Sequence, residues 1–247
     1  MPSATESGIG RPRLRAAMVA LIAVSCLALA VLAAPRARAV PAPSSGCAAV
    51  NIITARASTE AQGEGITGSL VTQIVNSSTQ TVSREAVVYP ATLTNYTSSE
   101  SQGVTNAEQE LTTAVQNCPN QKEVLLGYSQ GAQVSMDVIA GNAEVGGTVA
   151  PVSTAISSHV VAIANFGDPG HVVNQSWDLG TATRNGLFPR NSSELQLLSA
   201  FGGSKIASWC DSGDPYCASG TNLNVHLTYL NRYQNAAASF VLSKIGG

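Results

Sequence analysis

The sequence predicts a single-domain α/β fold, a three-layer sandwich with a central, mostly parallel sheet covered by helices on both faces. Three observations carry this. Short β-branched apolar runs alternate with stretches of helical period, which implies parallel pairing through crossover helices. A chain of 247 residues is long enough for one full core. Apolar residues make up 44% and charged residues 11%, a balance that excludes disordered and coiled-coil chains and argues against a nucleic-acid partner.

The elements follow in order. Val50 to Ala55 reads as a buried strand, and Gly65 to Asn76 as a helix with Ile66, Leu70, Ile74 and Val75 at helical spacing. Ala86 to Tyr89 reads as a strand stopped by Pro90, and Asn106 to Gln116 as a helix with Ala107, Leu111, Ala114 and Val115 on one face. Glu123 to Gly127 is a third strand and Gln130 to Ala140 a helix. His159 to Phe166 and Lys205 to Trp209 supply two more strands, and Leu227 to Ile245 closes the chain as a helix. No repeat or linker divides this part.

The N-terminus reads differently. Arg11, Arg13 and Arg15 precede an apolar run from Ala16 to Ala34, followed by Ala37-Arg38-Ala39. Basic, apolar, then small-x-small is the order of a signal peptide, so residues 1–39 are expected to be removed after Ala39. Residues 40–46 then form a short linker and residues 47–247 the domain. The run of 19 residues is also long enough to span a bilayer, so an uncleaved anchor is the competing reading. Removal takes away five of 13 basic and one of 15 acidic residues, leaving a net charge of −6 with His neutral. That surface gives no reason to expect anionic polymers as partners. The mature chain keeps Cys47, Cys118, Cys210 and Cys217, and export favours bridges over free thiols. The close pair Cys210 and Cys217 most simply join, leaving Cys47 with Cys118. No Cys-x-x-Cys or His-bearing knuckle supports a metal site.

Chemistry collects at the C-terminal ends of parallel strands. There stands Gly127-Tyr128-Ser129-Gln130-Gly131, a Gly-x-Ser-x-Gly turn between a strand and a helix. The glycines leave room for a sharp turn that pushes a serine hydroxyl out of the sheet and over a helix N-terminus, where negative charge is favoured. In an α/β-hydrolase-type fold the order is Ser, then an acid, then His. His226 follows every candidate acid. His159 begins a strand, and His171 sits in a loop at a strand end and is not excluded by position. Two acids compete: Asp168, after the strand ending at Phe166, and Asp214, inside the loop bounded by Cys210 and Cys217. A bridge there would hold Asp214 rigid, so the residues favour it moderately.

The segments Gly127–Gly131 and Lys205–Cys217, with His226, resemble the cutinase and acetylxylan esterase family. The likeness extends over Tyr89-Pro90-Ala91, Phe166-Gly167-Asp168-Pro169 and the spacing of the four cysteines. The resemblance implies a serine esterase with Ser129 as nucleophile, His226 as base and Asp214 as the acid, Asp168 being the runner-up. It also implies an oxyanion hole from the N–H of Gln130 and from Ser58, because Arg56-Ala57-Ser58-Thr59-Glu60 is similar to the family's Arg-Gly-Ser-Thr-Glu. Ala57 departs from that pattern. An open site without a large lid is implied too, and no metal or organic cofactor is needed.

Two ester classes divide this family. The loop Asp211–Tyr216 is more like acetylxylan esterases, which release acetyl groups from xylan. Leu223, Val225 and Leu227 beside His226 give an apolar rim suited to an acyl chain. That rim resembles cutinases, and two apparent bridges rather than more lean the same way, so a cutinase-like activity is expected, with Tyr128, Leu223 and Val225 touching substrate. The expected partner is an ester, a plant cell-wall polymer or lipid-like polyester, met outside the cell by a monomer with no nucleic acid and no stable membrane insertion. A catalytically silent wall or surface protein on this scaffold is the reading of another class. Asn76, Asn95, Asn174 and Asn191 begin glycosylation sequons.

Overall fold

The computed structural model describes residues 46–246, so the expected leader, its expected cleavage site and most of the expected linker lie outside the described residues. Six strands form one sheet: β1 (Val50–Ala55), β2 (Val82–Ala86), β3 (Lys122–Tyr128), β4 (Val160–Phe166), β5 (Asp178–Gly180) and β6 (Ile206–Cys210). Their order is β2-β1-β3-β4-β6-β5, and every neighbouring pair is parallel. The three longest strands, β1, β3 and β4, lie together in the middle, where apolar residues on both faces need cover.

Seven helices provide it: α1 (Gly68–Ser77), α2 (Tyr96–Asn117), α3 (Gln130–Ala140), α4 (Thr154–Ser157), α5 (Ser192–Gly202), α6 (Leu223–Leu227) and α7 (Tyr229–Ile245). On one face Ile52, Leu126 and Phe166 pack against Leu70 and Ile74 of α1 and Tyr229 and Val241 of α7. On the other, Ile53, Leu125 and Ile163 pack against Leu111 of α2, Val134 of α3 and Leu198 of α5. Adjacent strand residues going to opposite cores is the period-two rule at work. Gly103 of α2 makes the second layer thin, since a Cβ there would meet Val134 at 2.7 Å and Tyr89 at 2.9 Å.

Four expectations about elements need correction. The second strand is Val82–Ala86, upstream of Ala86–Tyr89. It is the sheet edge, where Ser83, Arg84 and Glu85 keep solvent access and discourage pairing with other chains. Val87 and Tyr89, which looked like strand, are buried as the chain drops into the core. The second helix begins at Tyr96, ten residues before Asn106. Its polar first half faces α3 through buried Ser99, Glu100 and Gly103 rather than through an apolar stripe. β5 and α5 were not expected at all. The last helix is split, with α6 ending at Leu227 and α7 starting at Tyr229.

Cys47 joins Cys118 and Cys210 joins Cys217. The first bridge ties the chain before β1 to the end of α2. At the same end of the strands, Lys122 Nζ at the start of β3 donates to the Ile245 carbonyl at 2.7 Å. Both ends of the described chain therefore lie at the N-terminal edge of the strands. Among the described residues, no helix is long and apolar enough to cross a membrane.

Candidate active site

At the opposite edge β3 turns into α3 at Ser129, whose backbone has φ 55° and ψ −122°. Residues with a Cβ seldom adopt positive φ, so the surrounding structure has to hold this one. Ser129 N–H donates to the Phe166 carbonyl at 2.8 Å, and its own carbonyl accepts from Ala132 and Gln133. The flanking glycines are required by contact. A Cβ on Gly127 would lie 2.3 Å from the Gly131 carbonyl oxygen, and one on Gly131 would lie 2.0 Å from that of Ala55. The Ser129 side chain consequently stands on the cleft wall while Gln130 begins α3. The Gln130 N–H belongs to the first helical turn, which provides no acceptor of its own. Its side chain is fixed by Ser99 at 3.1 Å and the Thr92 carbonyl at 3.2 Å.

The loop after β1 lies alongside. Arg56 is buried and donates to the carbonyls of Glu60 at 2.9 Å and Tyr89 at 2.6 Å, while the Tyr89 hydroxyl returns a bond to the Arg56 carbonyl. The Glu60 carboxylate accepts from the N–H groups of Ala57 and Ile66, both at 2.8 Å. Ser58 is held in the middle of this frame. Its hydroxyl is shielded from solvent, has no hydrogen-bond partner, and borders the same cleft as Ser129. An unpaired buried hydroxyl is costly, and a developing oxyanion is a partner that would satisfy it.

Asp214 and His226 come together through the bridged loop and α6. His226 Nδ1 lies 2.8 Å from Asp214 Oδ2, with both side chains buried. The other carboxylate oxygen accepts from the N–H groups of Tyr216 at 2.7 Å and Cys217 at 3.0 Å. Burial alone would raise the Asp214 carboxyl, yet the His226 bond and charge and these two N–H groups hold it below the usual carboxylate value. The imidazole is boxed in: the Tyr216 ring meets it edge-on at 4.5 Å, the Tyr128 hydroxyl bonds the His226 carbonyl, and a Cβ on Gly167 would lie 2.8 Å from the ring.

The other candidates are engaged elsewhere. Asp168 is paired with buried Arg190 at 2.6 Å and accepts from Gly170 N–H at 2.8 Å. Arg190 also binds Asp137 of α3 at 2.6 Å, so Asp168 is one anchor of a buried ion network. His171 is buried with Nδ1 3.6 Å from Asp178, and burial lowers its pKa. His159 precedes β4 at the far edge of the sheet, where its carbonyl accepts from Glu123.

The cleft beside Ser129 has a volume of about 490 Å³. Ser58, Tyr128, Ser129, Leu223 and His226 all line it, but Val225 does not. On α6, Leu223 and Leu227 are four residues apart and share the face toward the cleft. Val225 lies toward the bridged loop, 3.7 Å from where a Gly213 Cβ would stand. Its assignment to the substrate wall is corrected. The sequence reading missed Ile66, Leu93, Tyr96, Leu187, Phe188 and Tyr216, which complete the wall. Leu187 had an available signal as an apolar residue in a loop segment, Ile66 was read onto the inner stripe of the first helix, and the stacking of Tyr96 on Phe188 at 5.0 Å depends on tertiary approach.

The cutinase family model matches residues 46–245. An acetylxylan esterase from Hypocrea jecorina is 32% identical over 210 residues, covering 81% of this chain and 68% of that protein. Phospholipase Culp4 from Mycobacterium tuberculosis is 31% identical over 239 residues and covers 96% of each chain. The catalytic core domain of acetyl xylan esterase from Trichoderma reesei superposes with a TM-score of 0.72 at 30% identity, covering 81% of this chain and all of that one. With fold, elbow and bridged loop already in place, the chain belongs to the cutinase family.

Proposed function

We propose that this protein is a secreted serine carboxylesterase preferring acyl groups of butyryl length or longer. The observation that carries the acyl preference is where apolar side chains are left exposed. Of eight large exposed hydrophobic residues in the described structure, five (Ile66, Leu93, Leu187, Leu223 and Leu227) line the one cleft beside Ser129. Scattered exposure is ordinary, but concentration around a nucleophile favours an apolar substrate. The two disulfides support an extracellular site of action.

In this reading His226 takes the Ser129 proton as the oxygen attacks the ester carbonyl. The N–H of Gln130 and the N–H and hydroxyl of Ser58 hold the oxyanion, and Asp214 keeps the imidazole oriented and stabilises its charge. Collapse breaks the ester C–O bond, and His226 returns the proton to the departing alcohol. Water, deprotonated by His226, then attacks the acyl-enzyme and releases the acid with Ser129 restored. An aliphatic polyester of the cutin kind fits both the leucine rim and an open mouth.

The test is hydrolysis of p-nitrophenyl esters from acetyl to palmitoyl, with Ser129→Ala as control. The expected outcome is a kcat/KM maximum at butyryl or longer and loss of turnover in the control. Activity confined to acetyl would move the substrate to acetylated xylan. No serine-dependent hydrolysis by folded protein would leave a silent scaffold.

A further inference from the structure

The last helix contributes a group to the acid–base pair that none of the foregoing uses. The Tyr229 side chain is fully buried, and its hydroxyl lies 2.8 Å from Asp214 Oδ2, the same oxygen that meets His226. The Asp211 N–H lies 2.8 Å from that hydroxyl and can only donate to it. A phenol has one proton. With its oxygen already accepting from Asp211, that proton is left for Asp214. Burial, and then the charge of Asp214, hold the phenol far above its ordinary range, so it remains a donor. Cys217 Sγ at 3.2 Å closes the remaining side.

We propose that Tyr229 is a positioning residue for the triad: its hydroxyl shares Asp214 Oδ2 with His226, fixing the carboxylate and moderating its pull on the imidazolium. This rests on the reading of Asp214 and His226 as acid and base. The carboxylate then has four donors, two N–H groups on Oδ1 and the imidazole and phenol on Oδ2. An oxygen shared between two donors offers less negative potential to each. Removing the phenol should therefore stabilise imidazolium and move its titration upward. The other groups around the pair are Tyr128 from β3, Tyr216 and Asp211 from the bridged loop and Arg232 from α7, with Glu60 of the loop after β1 lining the same cleft. His171, in the loop after β4, also feels the Asp214 charge. All of these stay when Tyr229 loses its oxygen.

The experiment compares wild type, Tyr229→Phe and Tyr233→Phe. Two readouts are followed against pH: the NMR titration of the His226 imidazole, and kcat/KM on p-nitrophenyl butyrate. Tyr233 donates to Asp211 at 2.9 Å, so its variant loosens the same loop without touching Asp214. In Tyr229→Phe the titration and the acid limb of kcat/KM should both rise by about 0.5 pH unit, a fraction of one charge-assisted hydrogen bond. The plateau kcat should fall roughly 3- to 10-fold with KM unchanged, as lost orientation predicts. In Tyr233→Phe the titration should stay put. An unmoved titration in folded Tyr229→Phe, or equal shifts in both variants, overturns the proposal. Should Tyr229→Phe fail to fold, 3-fluorotyrosine at 229 keeps the shape and strengthens the donor, so the titration must then fall. No movement there also overturns it. The NMR readout does not need turnover, so a dead esterase with a shifted His226 would reject the catalytic reading while retaining the phenol's effect.

Discussion

Asp214 is saturated with donors and Ser58 has none, and these opposite conditions give two tests at the level of single residues. Asp214→Asn keeps the shape but presents an amide to Nδ1, favouring the wrong imidazole tautomer. Turnover should drop on the order of 10⁴-fold, the size seen for the same change in serine proteases, with circular dichroism unchanged. Asp214 also affects stability. Its folded value lies below the unfolded one, so its contribution is present above the ordinary carboxylate range and is lost as pH falls through the lower folded value. Ser58→Ala removes the unpaired hydroxyl but keeps the N–H. A drop of roughly 100-fold in kcat would show that the hydroxyl joins the oxyanion hole. Unchanged kcat would assign the hole to backbone donors alone. The strand-to-helix turn at Ser129 was legible at this scale because a five-residue motif encodes its own geometry. The preference for Asp214 over Asp168 was only partly legible, from the cysteine-bounded loop and the family resemblance, because the pairing of Asp168 with Arg190, 22 residues beyond it, has no sequence signal.

Among elements, the elbow and the loop after β1 are pressed together at Gly131, with no space for a methyl group. Gly131→Ala should push the Arg56–Glu60 loop away from Ser129. We expect a loss of about 1–3 kcal/mol in unfolding free energy, the usual cost of overpacking, and a fall in kcat exceeding that in KM. Denaturant melts and initial rates check both. The central strands were readable from sequence because buried parallel strands are continuous apolar runs. β2 was misplaced because an edge strand carries Ser, Arg and Glu, while the apolar residues after it belong to a buried loop. α5 was missed although its start is written plainly: Asn191 caps Ser193 and Glu194, and the Glu194 side chain returns to the Asn191 N–H at 2.7 Å. That capping box was read as a glycosylation sequon, because the same asparagine serves both patterns. The first half of α2 had no legible apolar stripe, since Val104 is the one large apolar residue on a buried face otherwise made of Ser99, Glu100 and Gly103.

Across the whole molecule, buried carboxyls set the response to pH. Burial pushes Glu100 and Glu123 each up to about 7, with Asn142 and Asn51 respectively opposing the shift, and Asp178 up to about 6. A raised acid favours folding fully only below its unfolded value, and that advantage disappears as pH rises through the folded value. The unfolding free energy should therefore decline between about pH 4.5 and 7, by up to ~1.4 kcal/mol per pH unit for a fully buried group such as Glu100 or Glu123, and the melting temperature should fall with it. Glu123 is the cleanest probe, with Oε1 buried and unpartnered and Oε2 bonded to Asn51 at 3.1 Å. Glu123→Gln should flatten the decline by removing one titration. An unchanged slope would show that Glu123 does not titrate in this range. Nothing in the periodicity of β3 foretold this, since Glu123 becomes buried only when β1 and β4 close on either side.

The two ends of the strands have separate duties: the described chain begins and finishes at one, and the cleft opens at the other. Residue 246 itself lies on the far side of the described domain from Ser129. A protein captured on a bead or fused to a carrier by its C-terminal end would present its mouth outward, toward a solid polymer film. Rates on such a film should survive that attachment, whereas random coupling through surface amines would leave part of the population facing the support.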